Sequence, residues 1–199
     1  MKPSTTWNRG IAIIGAEGSG KTTLINALEK RIEVPVMKEY VREVMRELGH
    51  SSPVQCDDLG QMKAFQDALA RKRRGLELSF QGAFLSDRSP VDSFLYALSG
   101  VARDLESQSW LKQYHSECLR HTIESYQLLI LVPHGRIGGE IAFDGVRSTL
   151  WFNALMMHYL FIGALPEFGV DHYTVRYTAL EDRVEEVIYV LYQRGLLQL

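Results

Sequence analysis

The residues Gly15-Ala16-Glu17-Gly18-Ser19-Gly20-Lys21-Thr22 carry the pattern G-x-x-x-x-G-K-[ST]. Each residue type has a reason to be there. Glycines let a backbone turn until its N–H groups converge on phosphate oxygens. A helix that starts at the pattern's end directs its positive pole at the same anion. Lys21 reaches the β- and γ-phosphates, and Thr22 offers a hydroxyl to Mg²⁺. Gly15 to Thr22, with Thr23 behind them, therefore predict a triphosphate site, with ATP the expected donor and Mg²⁺ its metal.

Other residues can act on that phosphate. Asp87-Arg88-Ser89 closes a short apolar run. The acid can hold magnesium or its water, or take an acceptor proton, while Arg88 holds the acceptor or the moving phosphoryl group. The structural alternative is that Asp87 or Ser89 only caps the helix that begins at Pro90. Glu39 follows another apolar run, and we read it as the leading general base. Arg42 holds substrate or forms an ion pair with Glu39 at i to i+3. Phe65-Gln66 can stack on a base and read its edge, although Phe65 also fits an apolar core stripe. Residues 133–147 are rich in glycine and polar groups. That composition suits a lid, with Arg136 and Arg147 neutralising the transferring group, although Asp144 and Arg147 can simply pair in a turn.

These residues need a scaffold. Apolar runs at 11–14, 34–37, 83–85, 128–132 and 172–175 read as buried strands. Helical patterns at 21–31, 39–48, 57–79, 90–98, 104–125, 148–165 and 180–196 separate or follow them. Strands alternating with helices predict an α/β, three-layer P-loop fold with a five-stranded parallel sheet. Its carboxyl rim would carry the phosphate loop, Glu39 and Asp87 together. One domain over residues 1–199 is expected, with 1–10 as a loose leader.

Composition narrows the field. Hydrophobic residues make up 46% and charged residues 23%, an ordinary globular balance. A formal net charge of -2 argues against a surface that coats nucleic acid. Cys56 and Cys118 make no disulfide framework and suit a reducing cytoplasm, the host's if the source is viral. No signal peptide or membrane span is expected; 154–165 contains His158, stops at Pro166 and reads as a buried helix. GTPases need N-K-x-D, which is missing, and the D-x-x-G at Asp57 to Gly60 reads as helix capping. His115 and Cys118 alone make no zinc site, so no structural metal is expected. His134 reads as a surface residue of the lid.

The phosphate loop, Glu39-Tyr40-Val41-Arg42, Asp87-Arg88-Ser89 and Asp144-Gly145-Val146-Arg147 together resemble NadR-like P-loop kinases. Glu39, Phe65-Gln66 and Asp87-Arg88-Ser89 are also similar in order to deoxynucleoside and thymidylate kinases. The resemblance implies that Glu39 activates a sugar hydroxyl, Gln66 reads a nucleobase, and Asp87 and Arg88 serve metal and acceptor. This chain has Asp at 87 where many nucleoside kinases have Glu, and its lid holds fewer arginines. The implied acceptor is a nucleoside- or nucleotide-type small molecule, bound by a monomer or homodimer. Phage kinases that phosphorylate 5-hydroxymethyldeoxyuridine within DNA are similar in size and motifs. In that branch Arg71-Lys72-Arg73-Arg74 would contact a DNA backbone; otherwise they form a solvated helix end. A nucleotide-gated switch protein is the further alternative, supported by the loop alone.

Overall fold

The structure, a computed structural model, describes residues 4–49, 58–101, 104–134 and 151–198. In chain order it runs β1 (Ser4–Thr5), β2 (Gly10–Ile14), α1 (Lys21–Arg31), β3 (Val36–Met37), α2 (Val41–Glu47) and α3 (Leu59–Ser79). It continues with β4 (Phe84–Asp87), α4 (Pro90–Gly100), α5 (Leu105–Ser125), β5 (Tyr126–Leu131) and α6 (Trp151–Ala164). A 3-10 turn (Leu165–Phe168), β6 (Asp171–Thr174), α7 (Leu180–Gln193) and β7 (Leu197–Gln198) complete it.

Five strands form one parallel sheet in the order β3-β4-β2-β5-β6. Side chains on a strand alternate between faces, so the apolar runs feed two cores. Ala12, Ile14, Leu129 and Leu131 pack with residues from α2 to α6. Ile11, Ile13, Leu128 and Ile130 pack with Leu24, Ile25 and Leu28 of α1 and Val184, Val187 and Leu191 of α7. This is the three-layer P-loop arrangement expected from the alternation of elements.

The strand order also places the site. From β2 the chain crosses toward β3, and from β4 it crosses toward β5. The two connections leave adjacent strands in opposite directions, which opens a crevice above their carboxyl ends. The loop after β2 is the phosphate loop, and the last residue of β4 is Asp87.

Three expectations need correction. The leader is not loose over its described part: Ser4–Thr5 pairs antiparallel with Leu197–Gln198, and the Thr6 hydroxyl donates to the Gly195 carbonyl at 2.6 Å. Trp7 is 5% exposed in the core beside α1 and α7. The cause is an apolar residue that can bury only by docking the segment.

The second correction is α6, which is not buried all round. Ala154, Met157 and Phe161 face the core, while Trp151, Phe152 and Tyr159 are at least 60% exposed. Apolar composition alone does not report which face is covered.

The third concerns the basic run. A helix turns about 100° per residue, so adjacent positions look in different directions. Arg73 is 3% exposed, and its Nη1 donates to the Arg88 carbonyl and the Tyr126 hydroxyl, both at 3.0 Å. Lys72 bridges Glu43 at 2.5 Å and Glu47 at 2.9 Å. Arg71 and Arg74 alone of the four are exposed.

Candidate active site

The phosphate loop forms as its residue types require. Gly15, Gly18 and Gly20 all have positive φ. At Gly15 a Cβ would also lie 2.6 Å from the Val132 carbonyl oxygen, so the position excludes any side chain. Ser19 is fully buried and its hydroxyl has no hydrogen-bond partner among the described residues. An orphaned buried donor in a glycine cradle at the start of α1 fits a phosphate oxygen as its missing partner.

Lys21 begins α1 and is buried, with its Nζ donating to the Ala16 carbonyl at 2.6 Å. Burial, followed by the nearby Arg88 charge, lowers its pKa from 10.5 to about 8. A cation held against its own desolvation gains more than a solvated one when an anion arrives.

Thr22 and Asp87 meet across the crevice: the Thr22 hydroxyl donates to Asp87 Oδ2 at 2.6 Å. Two oxygens so placed beside a phosphate cradle could supply part of the oxygen shell of a hard divalent cation. Asp87 does not cap α4. Ser89 does, accepting from the Val91 N–H at 3.2 Å, while Asp92 Oδ2 accepts from the Ser89 N–H at 2.8 Å. The S-x-x-D capping pattern was present in the sequence and would have separated the two roles.

Arg88 is the one described non-glycine residue with positive φ, at 83°. Its N–H donates to the Ile13 carbonyl at 3.0 Å, and its own carbonyl accepts from Arg73 and, at 2.5 Å, from the Ser86 hydroxyl. These bonds hold a backbone conformation that costs on the order of 1 kcal/mol or more. The guanidinium lies 5.3 Å from the Tyr96 ring centre and 3.9 Å from Asp92 Oδ1. Burial disfavours its charge, but Tyr96, Asp92, Glu39 and Asp87 more than offset that and raise its pKa. Burial likewise raises the Asp92 carboxyl, against the pull of Arg88 and Lys21.

Glu39 stands half-buried after β3, and its Oε1 accepts from the Val41 N–H at 2.9 Å. It follows the carboxyl end of β3, which runs parallel to β4, so it belongs to the same rim as Asp87 and helps raise the Arg88 pKa. Arg42 is exposed on α2. Phe65 is 9% exposed and packs in the core beneath the rim, as the structural alternative for it holds. Gln66 is 3% exposed; its Oε1 accepts from the Tyr114 hydroxyl at 2.9 Å, and its Nε2 lies 3.6 Å from Met62 Sδ. Arg136, Asp144 and Arg147 lie outside the described residues.

Several residues escaped sequence reasoning. The Tyr96 hydroxyl donates to the Glu17 carboxylate and accepts from the Glu17 N–H at 3.2 Å. Arg183 of α7 is 6% exposed, with Nη1 3.4 Å from the Ser19 carbonyl. His134 is not a surface residue: it is 3% exposed, and burial lowers its pKa beside Glu17 and Lys21. Tyr96 and Arg183 sit in no local motif, so only the three-dimensional neighbourhood reveals them. Among the described residues no group of three or more His, Cys, Asp or Glu is placed to hold a metal. No helix among them is long and apolar enough to cross a membrane.

Residues 10–183 match the family model described as an AAA domain. No curated protein sequence matches the chain. Among solved structures, NadR in complex with NR superposes with a TM-score of 0.67 at 19% identity, covering 94% of this chain and 51% of that one. Thymidylate kinase from Candida albicans gives 0.69 at 12% identity, covering 97% and 96%. Deoxyadenosine kinase from M. mycoides with bound dATP gives 0.65 at 15% identity, covering 92% and 99%. The chain thus spans about half the length of the NadR chains it matches. At these identities the likeness establishes a shared fold, the three-layer α/β P-loop arrangement.

Proposed function

We propose a function from one premise: the chain belongs to the AAA domain family whose model it matches. The protein is an ATP-dependent P-loop kinase that transfers the γ-phosphate to a nucleoside- or nucleotide-type acceptor. The observation that carries this reading is the contact between Thr22 and Asp87, made beside Arg88 and on the same rim as Glu39. A hydrolytic switch needs a positioned water; an acid, an arginine and a second acid facing the cradle suit a bound acceptor instead.

The residues divide the work. Backbone N–H groups of the loop and Lys21 bind the triphosphate. Thr22 and Asp87 would hold Mg²⁺, which would neutralise charge on the triphosphate. Arg88 orients the acceptor and stabilises the moving phosphoryl group. Glu39 accepts the acceptor hydroxyl proton through the oxygen not bonded to Val41. Arg136 and Arg147 remain proposed lid cations. Arg42 and Gln66 remain proposed acceptor contacts, Gln66 requiring release of its bond to Tyr114.

A labelled γ-phosphate assay across nucleosides, nucleotides and hydroxymethyluracil DNA tests the reading. Label in a nucleoside or nucleotide supports it. Label only in inorganic phosphate refutes it. Label entering the DNA alone would replace the acceptor by a modified base. That outcome has less support, since Lys72 and Arg73 are engaged within the protein.

A further inference from the structure

A cavity of about 550 Å³ lies at the opposite edge of the sheet, where the strands begin. That volume is within the range of small-molecule sites. One wall is the stacked pair Phe80 and Phe84, with ring centres 5.1 Å apart and planes at 20°. Arg9, Arg74 and Arg120 surround the opening, and none of the three makes a salt bridge among the described residues. Arg9 is tied in place, donating to the Ile123 carbonyl at 2.8 Å.

The acids of the cavity do not balance these cations. Glu77 is committed inward: Oε2 lies 2.6 Å from His121 Nε2, and Oε1 accepts from the Tyr126 hydroxyl at 2.6 Å. Both members of the Glu77–His121 pair have side chains 9% exposed. Burial pushes the Glu77 carboxyl up, but the bonds from His121 and Tyr126, with Arg73 close by, outweigh it and leave it ionised below its usual range. Glu124 is then the remaining acid facing three guanidinium groups.

The floor of the cavity is also one end of a buried chain. From Glu77 it passes to the Tyr126 hydroxyl, then to Arg73 Nη1 at 3.0 Å, and on to the Arg88 carbonyl at 3.0 Å. Arg88 is the residue whose left-handed backbone those bonds hold on the far rim.

We propose that this cavity is a second ligand site, for a small aromatic anion, and that its occupant acts on the phosphate site through the Glu77–Tyr126–Arg73–Arg88 chain. The ring lies against Phe80. The anionic group meets Arg74 and Arg120, which suit phosphate or carboxylate by paired donors. An added negative charge beside the Glu77 carboxylate repels it and alters its bond from the Tyr126 hydroxyl, and with that bond the hold of Arg73 on Arg88.

Binding of the site can be tested without turnover, so it stands or falls separately from the kinase reading; only the coupling rests on it. The probe is phenyl phosphate, followed by equilibrium dialysis with the phosphate loop saturated by a non-hydrolysable ATP analogue and Mg²⁺. About one equivalent per chain is expected. The double substitution Arg74→Glu, Arg120→Glu, at two exposed positions, should weaken it by about tenfold or more. Lys21→Ala, measured without the analogue, should leave it unchanged. Absence of binding, wild-type binding by the double variant, or loss in Lys21→Ala overturns the site. Inorganic phosphate binding as tightly as phenyl phosphate overturns its aromatic half. Saturating phenyl phosphate should shift the analogue's Kd by about threefold, and Tyr126→Phe should remove the shift. No shift, or the same shift in Tyr126→Phe, overturns the coupling.

Discussion

The hydroxyl of Thr22 donates to Asp87 across 2.6 Å, although the two residues lie 65 positions apart. The contact joins the first turn of α1 to the last residue of β4, so the phosphate cradle and the acid rim are one unit. Thr22→Ala and Asp87→Asn should each lower Mg²⁺-dependent transfer by about a hundredfold. Triphosphate binding in the absence of Mg²⁺ should change little. Transfer rates against Mg²⁺ concentration decide it; full activity in both variants removes the assignment.

Glu39→Gln separates chemistry from binding. Loss of a general base lowers turnover by about 10²–10⁴-fold. Triphosphate affinity should stay near that of the parent, since the role proposed for Glu39 is toward the acceptor and not the triphosphate. Single-turnover rates together with a nucleotide titration make the comparison.

Lys21 gives a pH signature. Its pKa of about 8 in the free protein must rise when a triphosphate binds, so binding takes up a proton above that pH. Affinity should fall by about tenfold per pH unit above 8. Calorimetry in buffers of different ionisation enthalpy reads the proton directly. For stability the sign is opposite. Between about 8 and 10.5 the unfolded chain holds more protons than the folded one, so the free protein gains stability as pH rises through that window.

Gly15→Ala places a Cβ 2.6 Å from a backbone oxygen at a φ of +138°. Neither partner is a flexible side-chain end that can move aside. A loss of about 2–4 kcal/mol is expected in denaturant unfolding, along with loss of triphosphate binding. Gly75→Ala is the control, because a Cβ there meets nothing within 4 Å on α3.

Trp7→Ala tests the docked leader. Trp7 is 5% exposed against Leu197 and the α1–α7 core. Removing a buried aromatic costs about 3–5 kcal/mol. A variant as stable as the parent would restore the loose leader that the sequence suggested.

By itself the sequence determined what depends on short range. The glycines of 15–20 prescribe a turn because only they accept its backbone angles, and Lys21-Thr22 follow within one helical turn. The apolar runs and helical periods prescribed the parallel sheet and both its cores. Tertiary structure decided which distant side chains meet. Asp87 rather than Ser89 faces Thr22, although both sat in one candidate cap. Tyr96 reaches Glu17 from 79 residues away. Arg73 turns inward from a run that read as solvated, because neighbours on α3 point about 100° apart and the packing of α3 selects which one is buried. Residue type states what a side chain can do; the helix or strand that carries it, and the element packed against that, state where it does it.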